Sequence, residues 1–477
     1  MISKMISKMI RLNRNIFPSV DGIYVVGGYI RDELLGRKPA DYDIACAVDT
    51  EKTARQIAAN TNGTLVKIGK PGQFIFRVVS GKNIFDVACL NGQTIEEDLK
   101  QRDFTINAMA YSISGGNIID CTGGLKDLEK KNIRMVSKEA FNKDPLRLLR
   151  AFRIGAAFNF KIEPATLKAI ENNAYLIVNS AGERIRVELL KLMDVLRSYR
   201  YISEMADTGL LLVIFPELGR LRGCEQNRYH IYDVFEHTMN SFYHLEMLIN
   251  AADSLNITRP AYHALFADKK KIALLKLAIL LHDTGKPLSR TIDKKGDYHF
   301  YGHAAAGADM SKKICDRLRM SSSEKCFIDF IIRNHLRPLF LFTLHLEAKL
   351  TRKAVIRFFR KCRDYSPYLL LHSIADSQAK GDKSDDAFKN FIIDLMDDYF
   401  AGFKILKRKP PLITGHDLIN EYGIEPSPLF RKILDYVEEA RLSGEISDKA
   451  SALRLAEEFI LSSDRVRAAT GQISTQA

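Results

Sequence analysis

The spacing of apolar residues divides this chain into two parts at about Asp144. Between Ile23 and about Met135, short strand-like runs (YVVGG, YDIACAV, TLVKI, QFIFRVV and NIFDVA) alternate with one or two helical segments, which predicts a mixed sheet with helices on one side. After Asp144, apolar residues recur with the helical period in 145–158, 183–197, 233–251, 271–282 and 304–319. We therefore predict an α+β head followed by an all-α remainder in which strands no longer occur.

Two aspartates lie in or beside the run YDIACAV. Asp41 and Asp43 are two residues apart, and side chains at that spacing on a strand point to one face. Carboxylates placed in this way can hold a pair of Mg²⁺ ions, which stabilise an in-line phosphoryl displacement. Gly27 and Gly28 precede a short helix, where backbone N–H groups can approach a triphosphate. Arg31 adds a fixed positive charge, so the stretch predicts a phosphoryl-transfer site.

A second stretch, KDPLRLLRAFR, offers a way to select a base. Asp144 and Pro145 are a good helix start, which predicts Asp144 as the N-cap. Asp144 and Arg147 are three residues apart and lie on one face of a helix. A carboxylate beside a guanidinium matches the amine and ring nitrogen that cytosine and adenine share, whereas uracil and guanine present the reverse polarity. Arg150 is predicted to contact phosphate. Each three-residue step along a helix rotates the side chain by about 60° around the axis, so Arg153 is predicted to lie opposite Asp144 and to be structural.

These stretches resemble a known family. Gly27–Gly28, Arg31–Asp32, Leu34–Arg37 and Asp41–Asp43 resemble the signature of nucleotidyltransferases of the DNA polymerase beta superfamily, in the class of bacterial tRNA nucleotidyltransferases and poly(A) polymerases. DLKQRDFTINAMAYS and KDPLRLLRAFR resemble its second and third motifs. The resemblance implies that Asp41 and Asp43 are catalytic metal ligands. It implies a nucleotide site made of Gly27, Gly28, Arg31, Arg102, Asp144, Arg147 and Arg150.

A second group of candidate ligands lies in the helical part. LAILLHDTGKP places His282 and Asp283 at the end of an apolar helix, and such mixed ligands suit a divalent metal that activates water for phosphoester hydrolysis. The pattern resembles the HD phosphohydrolase superfamily, which leaves the metal's identity open. That resemblance implies His237, His282, Asp283 and Asp376 as metal ligands, Lys286 near the phosphate, and His303 and His335 as candidates to extend the site.

Composition adds broader expectations. Lys and Arg exceed Asp and Glu by 71 to 58, a formal charge of +13, which favours a polyanionic partner such as RNA. The seven cysteines form no Cys-X-X-Cys pair, which indicates a reducing cytoplasm rather than a disulfide framework. No apolar run reaches the roughly 18 residues of a membrane span. We predict a head at 1–140, a helical neck with the nucleotide-selecting helix and an RNA-binding region at 141–225, an HD domain at 226–385 and a helical tail at 386–477.

Together, the resemblances imply Mg²⁺-dependent, template-independent addition of C and/or A residues from CTP and ATP to the 3′ end of tRNA, with a second phosphohydrolase activity. Three alternatives stay open. Only 11 residues separate Asp86 from Asp98, fewer than in the loop common among members that add both bases, so a CC-only enzyme is one. Poly(A) polymerases carry a histidine-containing signature that LVKIGKPGQFIFRVV lacks, and they generally lack an HD region. An HD hydrolase with an inactive sensor head conflicts with the intact head motifs. Asp86 itself is predicted to be either a third acidic ligand or a residue with a structural partner.

Overall fold

A computed structural model of the protein describes residues 10–39, 41–70, 73–226, 231–250, 265–381 and 386–471, with side chains described as far as residue 462. The chain divides into two compact units. One unit comprises Met1–Gly219 with Ile314–Met320, and the other comprises Arg220–Lys313 with Ser321–Ala477.

The first unit contains a seven-stranded mixed sheet in the order β3-β4-β5-β2-β1-β6-β7. Strand β2 pairs with β5 in parallel and with β1 antiparallel, so the predicted mixed sheet is confirmed. Its first five strands coincide with the five runs identified in the sequence. The strands are β1 (Ile23–Val26), β2 (Tyr42–Cys46), β3 (Thr64–Lys70), β4 (Gln73–Ser80), β5 (Asn83–Cys89), β6 (Ala110–Ser112) and β7 (Ile118–Ile119).

The helices of this sheet region are short, except for one that begins with a good cap. Asp49 caps it by accepting a hydrogen bond from the Lys52 backbone N–H at 3.0 Å, and its buried Ala54 and Ile57 face the sheet at β4 and β5. The helices are α1 (Gly28–Leu34), α2 (Thr50–Thr61), α3 (Ile95–Leu99) and α4 (Gly124–Glu129).

Helices predominate after the sheet. The longest in this region has a wide apolar stripe that includes Leu148, Leu149 and Phe152, all fully buried, and it packs on the helix at 182–193. The helices are α5 (Ala140–Lys143), α6 (Leu146–Phe158), α7 (Pro164–Asn173), α8 (Gly182–Met193), α9 (Tyr199–Asp207), α10 (Leu210–Ile214) and α11 (Pro216–Gly219).

The expectation that strands end before Asp144 is wrong in detail. Strand β8 (Asn132–Ile133) pairs with β9 (Lys161–Ile162), and β10 (Arg290–Ile292) forms a hairpin with β11 (Tyr298–Phe300). Two- and three-residue strands are too short to show a period of two. The turn of the hairpin includes Gly296 with a φ of +83°, a conformation that favours glycine.

The second unit is built from helices. Its central helix, α13, is buried from Ile272 to Leu281, because it packs against α12, α16 and α19. Here the helices are α12 (Val234–Asn250), α13 (Lys269–Leu281), α14 (Lys286–Ser289), α15 (His303–Arg317), α16 (Ser322–Asn334), α17 (Arg337–Leu346), α18 (Arg352–Cys362), α19 (Ser366–Gln378) and α20 (Asp386–Asp397).

The final stretch has an apolar cluster of its own, centred on Leu418, Ile433 and Ala456. It begins with a π-helical segment, Asp398–Phe403, and the helices that follow are α21 (Lys404–Lys407), α22 (Gly415–Tyr422), α23 (Pro428–Ser443) and α24 (Lys449–Gly471). Across the described residues, no helix combines the length and the apolarity that crossing a membrane requires.

Candidate active sites

One cavity of about 500 Å³ in the first unit is lined by all the residues that the sequence predicted for the nucleotide and metal sites of the head, except the alternative ligand Asp86. Its lining includes Gly27, Gly28, Arg31, Asp41, Asp43, Arg102, Asp144, Arg147 and Arg150, together with Tyr29, Asp32, Asp103, Asn107 and Arg153. We call it the head cavity. Residues from four separate segments of the chain therefore meet at one place.

The first glycine of the pair is fixed by its backbone and by its neighbours. Gly27 has a φ of +73°, which side chains disfavour. A Cβ atom here would lie 3.2 Å from Arg102 Nη1 and 3.5 Å from Asp43 Oδ2. Because Gly27 has no side chain, the Arg102 guanidinium and the Asp43 carboxylate both have room beside its backbone.

Asp41 directly precedes β2 and Asp43 is the second residue of that strand, and both line the head cavity. Both are exposed, and neither has an ion pair or a hydrogen bond to another described residue. Partial burial raises the pKa of Asp43, and Asp86 and Asp41 add to this effect against the opposing charge of Arg102. Two neighbouring carboxylates without a cationic partner are a suitable donor set for divalent cations.

Asp86 has a structural partner. In the strand register it lies between Asp43 on β2 and Arg77 on β4. Arg77 donates two hydrogen bonds to the two oxygens of Asp86, both at 2.7 Å, a bidentate geometry that fixes both groups. Asp86 does not line the head cavity, so of the two predictions for this residue the structure favours the structural one.

Two arginines of the head cavity are held in place by polar neighbours. Arg31 donates to Asp32 Oδ1 at 2.9 Å and to Asn107 Oδ1 at 2.6 Å. Arg102 donates to Asp98 Oδ2 at 2.9 Å. These contacts orient the guanidinium groups in advance, which reduces the entropy lost when an anion binds.

Arg150 and Arg153 are linked by shared acidic partners. Arg150 donates twice to Asp103 Oδ2, at 2.6 and 2.9 Å, and also lies 3.7 Å from Glu188 on α8. Burial alone would raise the pKa of Asp103, but Arg150 holds that pKa below its ordinary value. Arg153 donates to Glu188. The prediction that Arg153 has a structural partner agrees with this contact.

The predicted position of Arg153, however, is wrong, because Arg153 lines the same cavity as Asp144. The rotation argument assumed that the helix begins at Asp144. Instead, α6 begins at Leu146 with Pro145 at the N-cap, and Asp144 has extended backbone angles, φ −145° and ψ 98°. Asp144 still accepts a hydrogen bond from the Leu146 N–H at 3.2 Å, so it performs the predicted capping from one position earlier.

Asp144 and Arg147, the predicted base-selecting pair, are held by hydrogen bonds to backbone carbonyl groups and to a residue that the sequence analysis did not identify. Arg147 donates to the carbonyl oxygens of Gln101 and Arg102 at 2.9 and 3.2 Å. Arg184, on α8, donates to both oxygens of Asp144 at 2.9 and 3.3 Å. The sequence analysis identified no site residue on α8, although its alternating arginines, Arg184 and Arg186, were a signal for this role.

The second centre lies in the second unit, where the sequence placed the HD-type ligands. His237 Nε2 is 2.8 Å from Asp376 Oδ1, and His282 Nε2 is 3.4 Å from the same oxygen. His303 Nε2 is 3.2 Å from His335 Nε2. Two sets, His237–His282–Asp376 and Asp283–His303–His335, each have ligand atoms within 4.8 Å of one another. We call their union the histidine centre.

The geometry of the histidine centre suits a divalent metal. Asp283 is 1% exposed, and its oxygens lie 2.6 Å from Lys286 Nζ and 3.2 to 3.7 Å from the Nε2 atoms of three histidines of the centre. Neither oxygen accepts a hydrogen bond of good geometry from the described residues. Burial opposes a charge on His282, but Asp283 and Asp376 raise its pKa to about 10. Buried groups of this kind need a compensating partner, and imidazole with carboxylate is a common ligand set for transition metals.

One buried residue beside the histidine centre was absent from the predictions. His372 lies one helical turn before Asp376 on α19, with its ring 5.0 Å from that of His282. Neither of its nitrogens has a hydrogen-bond partner among the described residues. Burial, together with His282 and His335, holds its pKa well below the ordinary value. The helical spacing to Asp376 was the signal that could have identified it.

A cavity of about 360 Å³ opens over the histidine centre. Lys286 lines it and donates to Gln226 Oε1 at 2.7 Å. The β10–β11 hairpin contributes the aromatic residues Tyr298 and Phe300. A cation and aromatic rings beside a metal-ligand set suit a phosphorylated organic substrate.

Comparisons with known proteins match the regions of the chain that contain the two centres. A family model described as the poly A polymerase head domain matches residues 23–93 and 89–134. A second, described as a probable RNA and SrmB-binding site of polymerase A, matches residues 159–221. The HD domain model matches residues 234–378. The chain thus matches a poly A polymerase head domain model and, after it, an HD domain model.

Two curated relatives match over almost the whole chain. An A-adding tRNA nucleotidyltransferase of Deinococcus radiodurans is 30% identical over 452 residues, covering 93% of this chain and 97% of the relative. A CC-adding tRNA nucleotidyltransferase of Thermus thermophilus is 29% identical over 435 residues, covering 90% and 92%. The chain belongs to the tRNA nucleotidyltransferase family and is an enzyme.

A solved structure shares the fold. The Thermotoga maritima CCA-adding enzyme, in a complex with tRNA, superimposes with a TM-score of 0.62 at 22% identity, covering 97% of this chain and 94% of that chain. The fold class expected from the sequence, a polymerase beta-type head followed by a helical remainder with an HD domain, is therefore confirmed. Head and HD domains of these families depend on metals.

Proposed function

We propose that this enzyme adds C and/or A residues from CTP and ATP to the 3′ end of tRNA without a nucleic-acid template. The observation that carries the proposal is the head cavity, which places two unpartnered carboxylates, three anchored arginines and an Asp–Arg pair around one space. It is supported by relatives named for tRNA nucleotidyl transfer and by a related CCA-adding enzyme whose structure is described in complex with CTP.

Each group of the head cavity has a role in this reaction. Asp41 and Asp43 would hold Mg²⁺, which, when bound, stabilises charge on the attacking and leaving oxygens. Arg31, Arg102 and Arg150 bind the triphosphate. The RNA 3′ hydroxyl forms a bond to the α-phosphorus as the bond to the β-phosphate oxygen breaks, so pyrophosphate leaves.

Base selection is the role of Asp144 and Arg147. The Asp144 carboxylate accepts a hydrogen bond from the exocyclic amine of cytosine or adenine, while Arg147 donates to the adjacent ring nitrogen. Uracil and guanine would instead turn a carbonyl oxygen toward the Asp144 carboxylate and an N–H toward Arg147, so neither base can form these two hydrogen bonds and like-polarity groups would face each other. Because Arg184 holds Asp144 and backbone carbonyls hold Arg147, the pair is oriented before the nucleotide arrives.

We also propose that the histidine centre hydrolyses phosphoesters. His237, His282, Asp283 and Asp376 would hold a divalent metal, with His303 and His335 as further ligands. Such a metal lowers the pKa of a bound water. Lys286 would neutralise a phosphate oxygen of the substrate.

The domain limits predicted from the sequence, 1–140, 141–225, 226–385 and 386–477, are part of this proposal. They are compatible with the three family matches, which fall in the first three of these ranges. A cytoplasmic location is the natural one for a tRNA substrate, and the seven cysteines are free thiols.

The deciding experiment incubates the purified protein and Mg²⁺ with tRNA that lacks its 3′-terminal C, C and A, supplied with CTP alone, ATP alone or both. Incorporation of C and then A supports a CCA-adding enzyme, whereas incorporation that stops after C, or that requires a preformed CC end, identifies partial addition. Repeated A addition to unrelated RNA would show a poly(A) polymerase instead. No incorporation under any condition would refute the proposal and favour a sensor head.

A further inference from the structure

A third cavity, of about 500 Å³, lies in the second unit and shares no lining residue with the cavity over the histidine centre. It forms where the first residues of α13 and α19 meet the π-helical segment Asp398–Phe403 and the helix α21. We call it the basic cavity. Neither proposed activity uses it.

The charges around the basic cavity are unbalanced. Four cations line it, Lys271, Lys404, Lys407 and Arg408, against two carboxylates, Asp268 and Asp364. Both carboxylates already have partners, since Asp268 pairs with Lys271 at 3.0 Å and Asp364 accepts a hydrogen bond from the Tyr399 hydroxyl at 3.3 Å.

The three cations around α21 have no such partners. Within the described part of the chain, no carboxylate forms an ion pair with Lys404, Lys407 or Arg408. Lys404 instead lies 5.3 Å from the centre of the Phe400 ring. Clustered like charges repel one another, so an anion in the cavity would stabilise the arrangement.

A tyrosine side chain points to the same kind of ligand. Tyr368 is only 4% exposed, its hydroxyl is not one of the fully buried polar atoms, and that hydroxyl makes no hydrogen bond to any described residue. Tyr368 lines the basic cavity, where Lys271 Nζ lies 5.6 Å from its ring centre, so its hydroxyl can donate to a ligand anion.

We propose that the basic cavity binds a phosphorylated ligand of the nucleotide class. Lys404, Lys407 and Arg408 neutralise the phosphoryl group, the Tyr368 hydroxyl donates to it, and Phe400 contacts the organic part. The volume falls within the roughly 300–1,000 Å³ of small-molecule sites. The nucleotide is either a free one or one within a bound RNA, since both present the same phosphate and ring chemistry.

Two binding arms separate these sources, both with the full chain. Equilibrium dialysis with radiolabelled AMP in EDTA measures free-nucleotide binding without metal-dependent contacts. Filter binding of tRNA over a range of salt concentrations measures RNA binding. The test variants are Lys404→Gln/Arg408→Gln and Tyr368→Phe, and the matched control is Lys313→Gln/Lys361→Gln, which removes two exposed charges of the same unit outside the cavity.

We expect the cavity double variant to weaken binding by about tenfold or more in at least one arm, because each lost contact is charge-assisted. The Tyr368→Phe variant weakens the same arm, and the control leaves both unchanged. Loss in the AMP arm identifies a free nucleotide. Loss in the RNA arm, with a salt dependence reduced by about one unit per lost phosphate contact, identifies RNA. Cavity variants that match the control in both arms overturn the proposal.

This result is independent of the proposed catalytic function. The cavity double variant is expected to incorporate CMP at the wild-type kcat when tRNA is saturating, because it leaves the head cavity intact. If the wild-type protein incorporated nothing, the proposed function would fail while both binding arms would still test the basic cavity.

Discussion

The carboxylates of the two candidate metal sites of this enzyme differ in their solvent exposure. In the head cavity, Asp41 and Asp43 are exposed and have no partner among the described residues. In the histidine centre, Asp283 is 1% exposed and lies among imidazoles and Lys286. An exposed carboxylate pair remains hydrated until ions arrive with a charged substrate, whereas a buried mixed set must be compensated at all times. We infer from this comparison that the head would take up its ions together with each nucleotide, whereas the histidine centre would retain its metal.

The largest effect that tests this separation is expected from Asp43→Ala. Since a catalytic metal supplies several kcal/mol of transition-state stabilisation, nucleotide incorporation should fall by on the order of 10³-fold. Hydrolysis of phosphomonoesters by the histidine centre should persist. Both rates would be measured on one preparation, with Asp21→Ala, another exposed aspartate of the first unit, as the control. Equal loss of both activities would show that the centres are not separate.

Asp283→Ala should produce the converse result. Hydrolysis of phosphomonoesters or cyclic phosphates should fall by about 10²-fold or more because the metal is lost, and bound metal, measured by elemental analysis, should fall with it. Nucleotide incorporation should remain near the wild-type rate. Because Asp283→Ala removes both the charge and the packing beside Lys286, Asp283→Asn provides a second variant that removes the charge and keeps the shape. If hydrolysis survives in both variants, the ligand assignment is wrong.

A smaller effect is expected from Arg184→Ala, which releases Asp144. An exposed ion pair is worth up to about 1 kcal/mol, so discrimination of CTP against UTP should decrease by roughly fivefold at most. The measurement is the ratio of kcat/KM values for the two nucleotides. Arg200→Ala, which breaks the exposed Arg200–Glu204 pair at 2.9 Å in the same unit, should leave the ratio unchanged. An unchanged ratio in Arg184→Ala as well would show that Asp144 needs no support from α8.

The smallest effect concerns acid stability. Arg150 holds the pKa of Asp103 below the ordinary 3.8, so the ionised carboxylate stabilises the folded state above that value, and the stabilisation is lost as the pH falls through the lower, folded-state pKa. Asp103→Asn removes this one carboxylate's contribution to the pH dependence of stability. Thermal unfolding followed from about pH 6 to about pH 3 should show the stability difference between wild type and variant narrowing. A difference that stays constant with pH would contradict this role for Asp103.

The sequence predicted the parts of the structure whose residues are close together in the chain. The five apolar runs correspond to β1–β5. The glycine pair and Asp41–Asp43 line one cavity, as predicted, because strand spacing determines which face a side chain occupies. The histidine centre was found because its ligand types are unusual in apolar helices. Each of these signals is local.

The missed contacts depend on long-range packing. Arg184 reaches Asp144, and Glu188 reaches Arg150 and Arg153, only because α8 packs beside α6, which no spacing rule encodes. The predicted position of Arg153 was wrong because the prediction assumed a continuous helix from Asp144, whereas α6 begins two residues later, at Leu146. The partner of Asp86 lies on the preceding strand, and it could have been found by considering cross-strand charge pairs.

Glu188 has a consequence for anyone who wishes to shorten this enzyme. The carboxylate that lies between Arg150 and Arg153 belongs to α8, almost seventy residues beyond the last strand of the main sheet. A piece cut at residue 140 would keep the aspartates, Arg31 and Arg102, but it would lose Arg150 and the Asp144–Arg147 pair that we propose to select the base. A piece that keeps the whole first compact unit would need residues 1–219 and also residues 314–320, which belong to the same unit.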